Sequence, residues 1–241
     1  MLPRGLLVTG RTWAKVLTSQ STLRYKVTMT NTVETHEEDD AAAMLALITA
    51  QQRKVDQLML RPIPWMLGIW GAAWLVGFLL LWSAYPGGNP LFTIPMAVAA
   101  PVFALLIAGA IAASAIIGAR LSRGVKGESN FAGAVYGISW SLCGIAFAAL
   151  GVGLISNGLS QELASIYFPS AFSLMCGTLY LAGAALWRQV SQLVLGIIML
   201  VVGAVAPFFG APTNNLVMAI FGGGALLVAA AVFAVRLRQA R

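Results

Sequence analysis

The stretch PMAVAAPVFALLIAGAIAASAIIGA, residues 95–119, decides the fold class. It runs for 25 residues without a charged side chain. As an α-helix rising about 1.5 Å per residue it reaches about 37 Å. A bilayer core is about 30 Å thick and needs roughly 20 apolar residues per helix, so this run is long enough to cross one. The absence of charge extends well beyond it. No Asp, Glu, Lys, Arg or His occurs between Arg61 and Arg120, between Glu128 and Glu162, between Glu162 and Arg188, or between Arg188 and Arg236. These four intervals have room for two, one, one and two spans. The expected fold class is therefore all-α integral membrane, with six transmembrane helices over 65–84, 95–119, 131–155, 166–187, 190–209 and 216–235. Composition agrees. The chain is 59% hydrophobic and 10% charged, against roughly 25% charged in a soluble domain.

The connections carry turn chemistry. Tyr85-Pro86-Gly87-Gly88-Asn89-Pro90 and Pro212-Thr213-Asn214-Asn215 both read as turns between apolar runs. Trp65, Trp82, Tyr85, Tyr167 and Trp187 fall at span ends, where amphipathic rings sit at headgroup depth. With six spans and the N-terminus inside, all fifteen Lys and Arg lie on the inner side, and the outer loops 85–94, 156–165 and 210–215 hold none. Positive charge accumulates on the cytoplasmic side. The expected location is a bacterial inner membrane, multi-pass, with both termini cytoplasmic. The net charge of +7 is spent on this asymmetry rather than on a dense basic patch, so no nucleic-acid partner is expected.

Ahead of the spans, residues 1–38 read as a disordered segment. Residues 1–28 hold Arg4, Arg11, Lys15, Arg24 and Lys26 without an acid, which raises the possibility of a native start near Met29. The run Glu37-Glu38-Asp39-Asp40 supplies N-cap candidates and negative charge for a helix start. Residues 39–61 then form an amphipathic cytosolic helix, its body over 41–60, closed by Arg61-Pro62 and available to a protein partner. The six-helix domain is expected over 62–236, with a basic tail at 237–241.

Catalytic constellations are absent from the sequence. There is no phosphate-binding G-x-x-x-x-G-K-[ST], and the sole histidine, His36, precedes the spans. No ionisable carboxylate or base falls at mid-span, which weakens an ion-driven carrier. No enzyme activity, cofactor or metal is expected. Cys143 and Cys176 fall inside the third and fourth spans and read as small buried hydrophobes. The most ordered pattern is a stripe in the third span, Gly133, Gly137, Ser141, Gly144, Ala148 and Gly151, at a mean spacing near 3.5. It reads as a close helix-packing face, with a smooth substrate groove as the alternative. Pro101, Ala104, Ala108, Ala112 and Ala115 repeat the theme in the second span. Gly222-Gly223-Gly224 in the sixth reads as a close crossing, with a hinge as the alternative. Trp70-Gly71-Ala72-Ala73-Trp74 is echoed by Tyr136-Gly137-Ile138-Ser139-Trp140, and Pro95…Gly109-Ala110 by Pro169…Gly183-Ala184. Both echoes would fit parallel repeats.

The Asp39-Asp40-Ala41-Ala42-Ala43 start, the Ile69–Phe78 stretch IWGAAWLVGF and the Leu179–Trp187 stretch LYLAGAALW resemble uncharacterised actinobacterial multi-pass membrane proteins over about residues 39–236. Some of those proteins are labelled transporters. The resemblance implies six helices and supplies no site residue. Two functions are left: a non-catalytic membrane partner or scaffold subunit, or a permease or exporter for a neutral or lipophilic small molecule.

Overall fold

The computed structural model describes residues 43–51, 60–121 and 128–239. The expected segment 1–38 and the last two residues of the basic tail lie outside the described residues. The chain divides into two units, Met1–Gln57 and Leu58–Arg241. In the first, residues 43–51 are helical, with the Thr49 hydroxyl donating to the Leu45 carbonyl at 2.7 Å. The remainder of the helix expected over 41–60 lies outside the described residues, apart from Leu60.

The second unit consists of α1 (Ile63–Ala84), α2 (Met96–Leu121), α3 (Glu128–Ser156), α4 (Gln161–Trp187), α5 (Val190–Val205) and α6 (Thr213–Gln239). A 3-10 turn, Ala206–Phe209, extends α5, and α6 contains a π-helical segment, Met218–Gly223. Among the described residues, six helices are long and apolar enough to cross a membrane. Helix α4 starts five residues ahead of the hydropathy boundary at 166. Ser160 caps it, accepting from the Leu163 N–H at 3.2 Å, and Glu162 sits in the positive first turn. Hydropathy cannot register a polar cap. The α3–α4 turn closes with Gly158 at φ 95°, where Leu159 N–H donates to the Leu154 carbonyl. This left-handed position suits glycine. The α4–α5 turn uses Arg188 at φ 52° instead, a conformation that burdens a residue with a Cβ.

Cross-helix contacts give the topology. Gly71 faces Leu227 and Gly223 faces Leu75, so α1 and α6 run antiparallel. Trp70 with Ser114 does the same for α1 and α2, Tyr167 with Phe147 for α3 and α4, and Ser173 with Met199 for α4 and α5. Arg61, Arg120, Arg188, Arg236 and Arg238 therefore collect at one end of the bundle, the arginine end. The 85–95, 157–160 and 210–212 connections form the other, the turn end. The main packing partners run in the order α2, α1, α6, α5, α4, α3.

The core lies where α1, α5 and α6 meet, around Trp74, Phe78, Met199, Met218 and Leu226. Trp74, Phe78 and Phe103 form a ring ladder with centroids 5.4 and 5.2 Å apart, which joins α2 to it. Glycine sets the closest approaches. A Cβ on Gly177 would lie 2.8 Å from Leu200 N and 2.9 Å from the Gly196 carbonyl oxygen, and one on Gly203 would lie 3.0 Å from Leu174 N. A Cβ on Gly223 would lie 2.6 Å from Leu75 N. Gly222 and Gly223 of the triple glycine thus lie at a close crossing with α1, while Gly224 faces away from it. The repeats are a different matter. Gly71 is pressed against α6, whereas Gly137 meets nothing within 4 Å, and Gly183 is crowded where Gly109 is open. Echoed sequences sit in unlike surroundings, so the structure does not treat them as equivalent units.

Adjacent glycines give a sharp test of this packing. Gly223→Ala drives a methyl into the α1 backbone and should destabilise the protein by about 1–3 kcal/mol. Gly224→Ala meets nothing within 4 Å and should gain up to about 1 kcal/mol of helix propensity. Thermal unfolding of the two purified variants should move in opposite directions.

Candidate functional site

The least expected feature is a pair of asparagines at the start of α6. Asn214 and Asn215 are 0% and 1% exposed, on a segment the sequence marks as an outer turn. The local chain explains the inversion. After α5, the 3-10 turn passes to Gly210 at φ 66°, a left-handed position open to glycine. The Asn214 N–H then returns to the Gly210 carbonyl at 2.8 Å and Asn215 N–H to the Pro212 carbonyl at 3.1 Å. Pro212 occupies the N-cap and no side chain caps this helix. The asparagines fall one and two residues inside the first turn, where they are buried rather than capping.

Their amides are poorly satisfied. Asn214 Nδ2 donates to the Ser165 carbonyl of α4 at 2.9 Å. Asn214 Oδ1, both Asn215 amide atoms and Ser170 Oγ are buried without a hydrogen-bond partner among the described residues. Ser170 is 6% exposed and lies five residues beyond Ser165 on α4, about 7.5 Å deeper. Its carbonyl faces Gly203, so it sits on the α5 side. Each unmet buried polar group costs about 1–3 kcal/mol, against about 5–15 kcal/mol for a whole fold. A protein retains three such atoms on two adjacent asparagines when something else meets them.

The residues singled out in sequence are placed differently. The α3 stripe packs within the chain only at its turn end, where a Cβ on Gly151 would lie 2.5 Å from Phe168. Gly133, Gly137 and Ser141 are exposed, and a Cβ at 133, 137 or 144 meets no atom within 4 Å. Gly144 and Ala148 are half-buried. Within the described residues the stripe thus meets a neighbouring helix near Gly151 and is uncovered at Gly133, Gly137 and Ser141. Helix α3 has one substantial neighbour, α4, and meets it through large rings. Tyr136 stands 4.7 Å from Trp187, and Trp140 stands 5.4 Å from Tyr180. On α2, Pro101, Ala104, Ala108, Ala112 and Ala115 are exposed as well. Tyr167, read as an interface anchor, turns inward and donates to the Phe147 carbonyl at 3.0 Å. Trp65 stays exposed at its span end.

Cys143 and Cys176 are free thiols and half-buried, and Cys176 packs against the core. Among the described residues, no group of His, Cys, Asp or Glu side chains is arranged to hold a metal. The hydroxyls divide as membrane helices usually divide them. Ser139 and Thr178 bond their own helices. Ser114 accepts from Trp70 Nε1 at 2.8 Å, and Ser173 donates to the Met199 carbonyl at 2.8 Å, each tying two helices. Sequence reasoning passed over the asparagines because polar residues beside proline look like a turn. The missed signal was a second amide with no cap position to fill.

Among the described residues, six helices are long and apolar enough to cross a membrane, an architecture compatible with a multi-pass α-helical membrane protein. No protein-family model, curated protein or solved structure matches the chain.

Replacing Asn214 tests the one bond that anchors the pair. Asn214→Ala strands the Ser165 carbonyl and should cost about 1–3 kcal/mol in thermal unfolding. Thr178→Val removes only an exposed bond within one helix and should leave the midpoint within about a degree, as surface changes usually do.

Proposed function

We propose that the chain is a non-catalytic subunit of a membrane assembly, held in a bacterial inner membrane with both termini in the cytoplasm. The uncovered small-residue face of α3 carries this reading. Gly133, Gly137 and Ser141 are exposed, and no atom of the chain comes within 4 Å of a Cβ at either glycine. Lipid tails supply no hydrophobic drive between helices, so close backbone approach at small residues is a main source of association. Only 6% of the α2 and α3 windows is buried inside the chain, against 33–44% for the other four spans. Two peripheral helices with small-residue faces suit a partner helix in the same bilayer. A cytosolic helix over 41–60 adds a second docking element. Orientation rests on charge: every Lys and Arg falls on the arginine side of the six-span topology.

The alternative, a permease or exporter for a neutral or lipophilic molecule, is favoured by one observation, the buried asparagine pair in an interrupted sixth helix. Neither reading uses a mid-membrane charge.

For the orientation, Gly87→Cys should label with an impermeant maleimide on intact cells and Gln239→Cys only after lysis, in a background of Cys143→Ser and Cys176→Ser. The reverse pattern overturns the orientation. For the assembly, Gly133→Cys, Gly137→Cys or Ser141→Cys in that background should give a heavier disulfide-linked species on oxidation of native membranes. Gly137→Leu should abolish the association while leaving the thermal midpoint of the purified chain unchanged. If none of the three positions cross-links, the assembly reading fails.

A further inference from the structure

We propose that Asn214 and Asn215 form a binding site for a small uncharged molecule that both donates and accepts hydrogen bonds, the chemistry of carboxamides and urea. The site is independent of the assembly reading, which concerns the peripheral helices α2 and α3, whereas α6 lies inside the packing order.

The unmet atoms define the ligand. Asn214 Oδ1 and Asn215 Oδ1 accept, and Asn215 Nδ2 donates. An apolar molecule would leave all three unmet. An alkali cation would meet the oxygens but oppose the Asn215 N–H groups. It would also bring an uncompensated charge, since no carboxylate, Lys, Arg or His lies between Arg188 and Arg236. Glu162, the acidic residue nearest to Ser165 along α4, is exposed at its first turn. A molecule carrying N–H and C=O side by side pairs with a carboxamide through two parallel hydrogen bonds, so each amide is met on both edges.

The fold keeps this chemistry in place. Asn214 is tied to α4 through the Ser165 carbonyl at 2.9 Å, and the start of α6 packs on α1, α4 and the 3-10 turn. The π-helical segment begins three residues after Asn215. Such bulges are frequent at functional sites, because they re-aim one turn of side chains without ending the helix. The pair lies in the first turn of α6, next to the exposed Thr213 at the turn end, and so away from mid-membrane depth.

The test uses the full chain in lipid nanodiscs and saturation-transfer NMR with acetamide as the probe. Wild type should give saturable transfer to the acetamide methyl. The signal should fall at least fivefold in Asn215→Leu and stay unchanged in Gly224→Ala. Acetone, which has the carbonyl and methyl but no N–H, should give at least fivefold less transfer than acetamide. No transfer in wild type means that the cluster holds structural water only and overturns the proposal. Equal transfer in Asn215→Leu or equal transfer to acetone overturns it too. Displacement of acetamide by sodium chloride, with choline chloride as the ionic-strength control, would assign the site to a cation and likewise overturn it. Should Asn215→Leu fail to give monodisperse protein, Asn215→Ala is read in its place. A threefold loss is then expected, and no loss counts against the site.

Discussion

Close backbone approach at glycine is the constraint on which the rest of this bundle depends. Between helices surrounded by hydrocarbon, burial of apolar area supplies little net drive, and dispersion at short range has to hold the structure. Gly177 and Gly196 let α4 and α5 approach until the α-carbon side of each glycine faces the other's carbonyl oxygen, with Gly203 continuing the contact one heptad along. Gly71 and Gly223 do the same for α1 and α6. Within these seams the Ser173 hydroxyl reaches the Met199 carbonyl, a cross-helix bond available only at that separation. The larger side chains, Trp74, Phe78, Met199 and Met218, then fill the space where the two glycine-bound pairs meet.

The position of the asparagines follows from that arrangement. With α4 and α5 drawn together, the start of α6 packs against α1, α4 and the end of α5. These neighbours cover one face of its first turn, so Asn214 and Asn215 are buried while Thr213 stays exposed. Here they are amides, and the short 3-10 connection with Gly210 leaves them no capping role. A polar pair is stable at such a place only when its atoms find hydrogen-bonding partners.

Helices α2 and α3 stand apart from this scheme. Each has one substantial neighbour, and each turns a face of alanine or glycine away from the chain. The ring contacts that hold α3 to α4, through Tyr136, Trp140, Tyr180 and Trp187, need width where the inner helices need closeness. The same residue type, glycine, therefore serves two ends. In the inner helices it is consumed by the fold, while on α3 it stays available to another helix.

The sequence by itself determined the number of spans, their order and the end at which the arginines collect. Those features depend on bilayer thickness and on charge, which act on each segment separately, so residues 95–119 announce a helix whatever surrounds them. The start of α4 at Gln161 escaped hydropathy because Ser160 caps through a hydrogen bond, a local signal of another kind. Only the tertiary structure decided which small-residue faces meet. The stripe Gly133–Gly151 is more regular in sequence than Gly196 and Gly203, yet within it only Gly151 meets a neighbouring helix closely, whereas both Gly196 and Gly203 do. A stripe is a property of one helix, whereas a crossing needs a second helix at matching depth and angle. Likewise Asn214 and Asn215 read as a turn from their neighbours, and became a buried polar site because α1, α4 and α5 close around them.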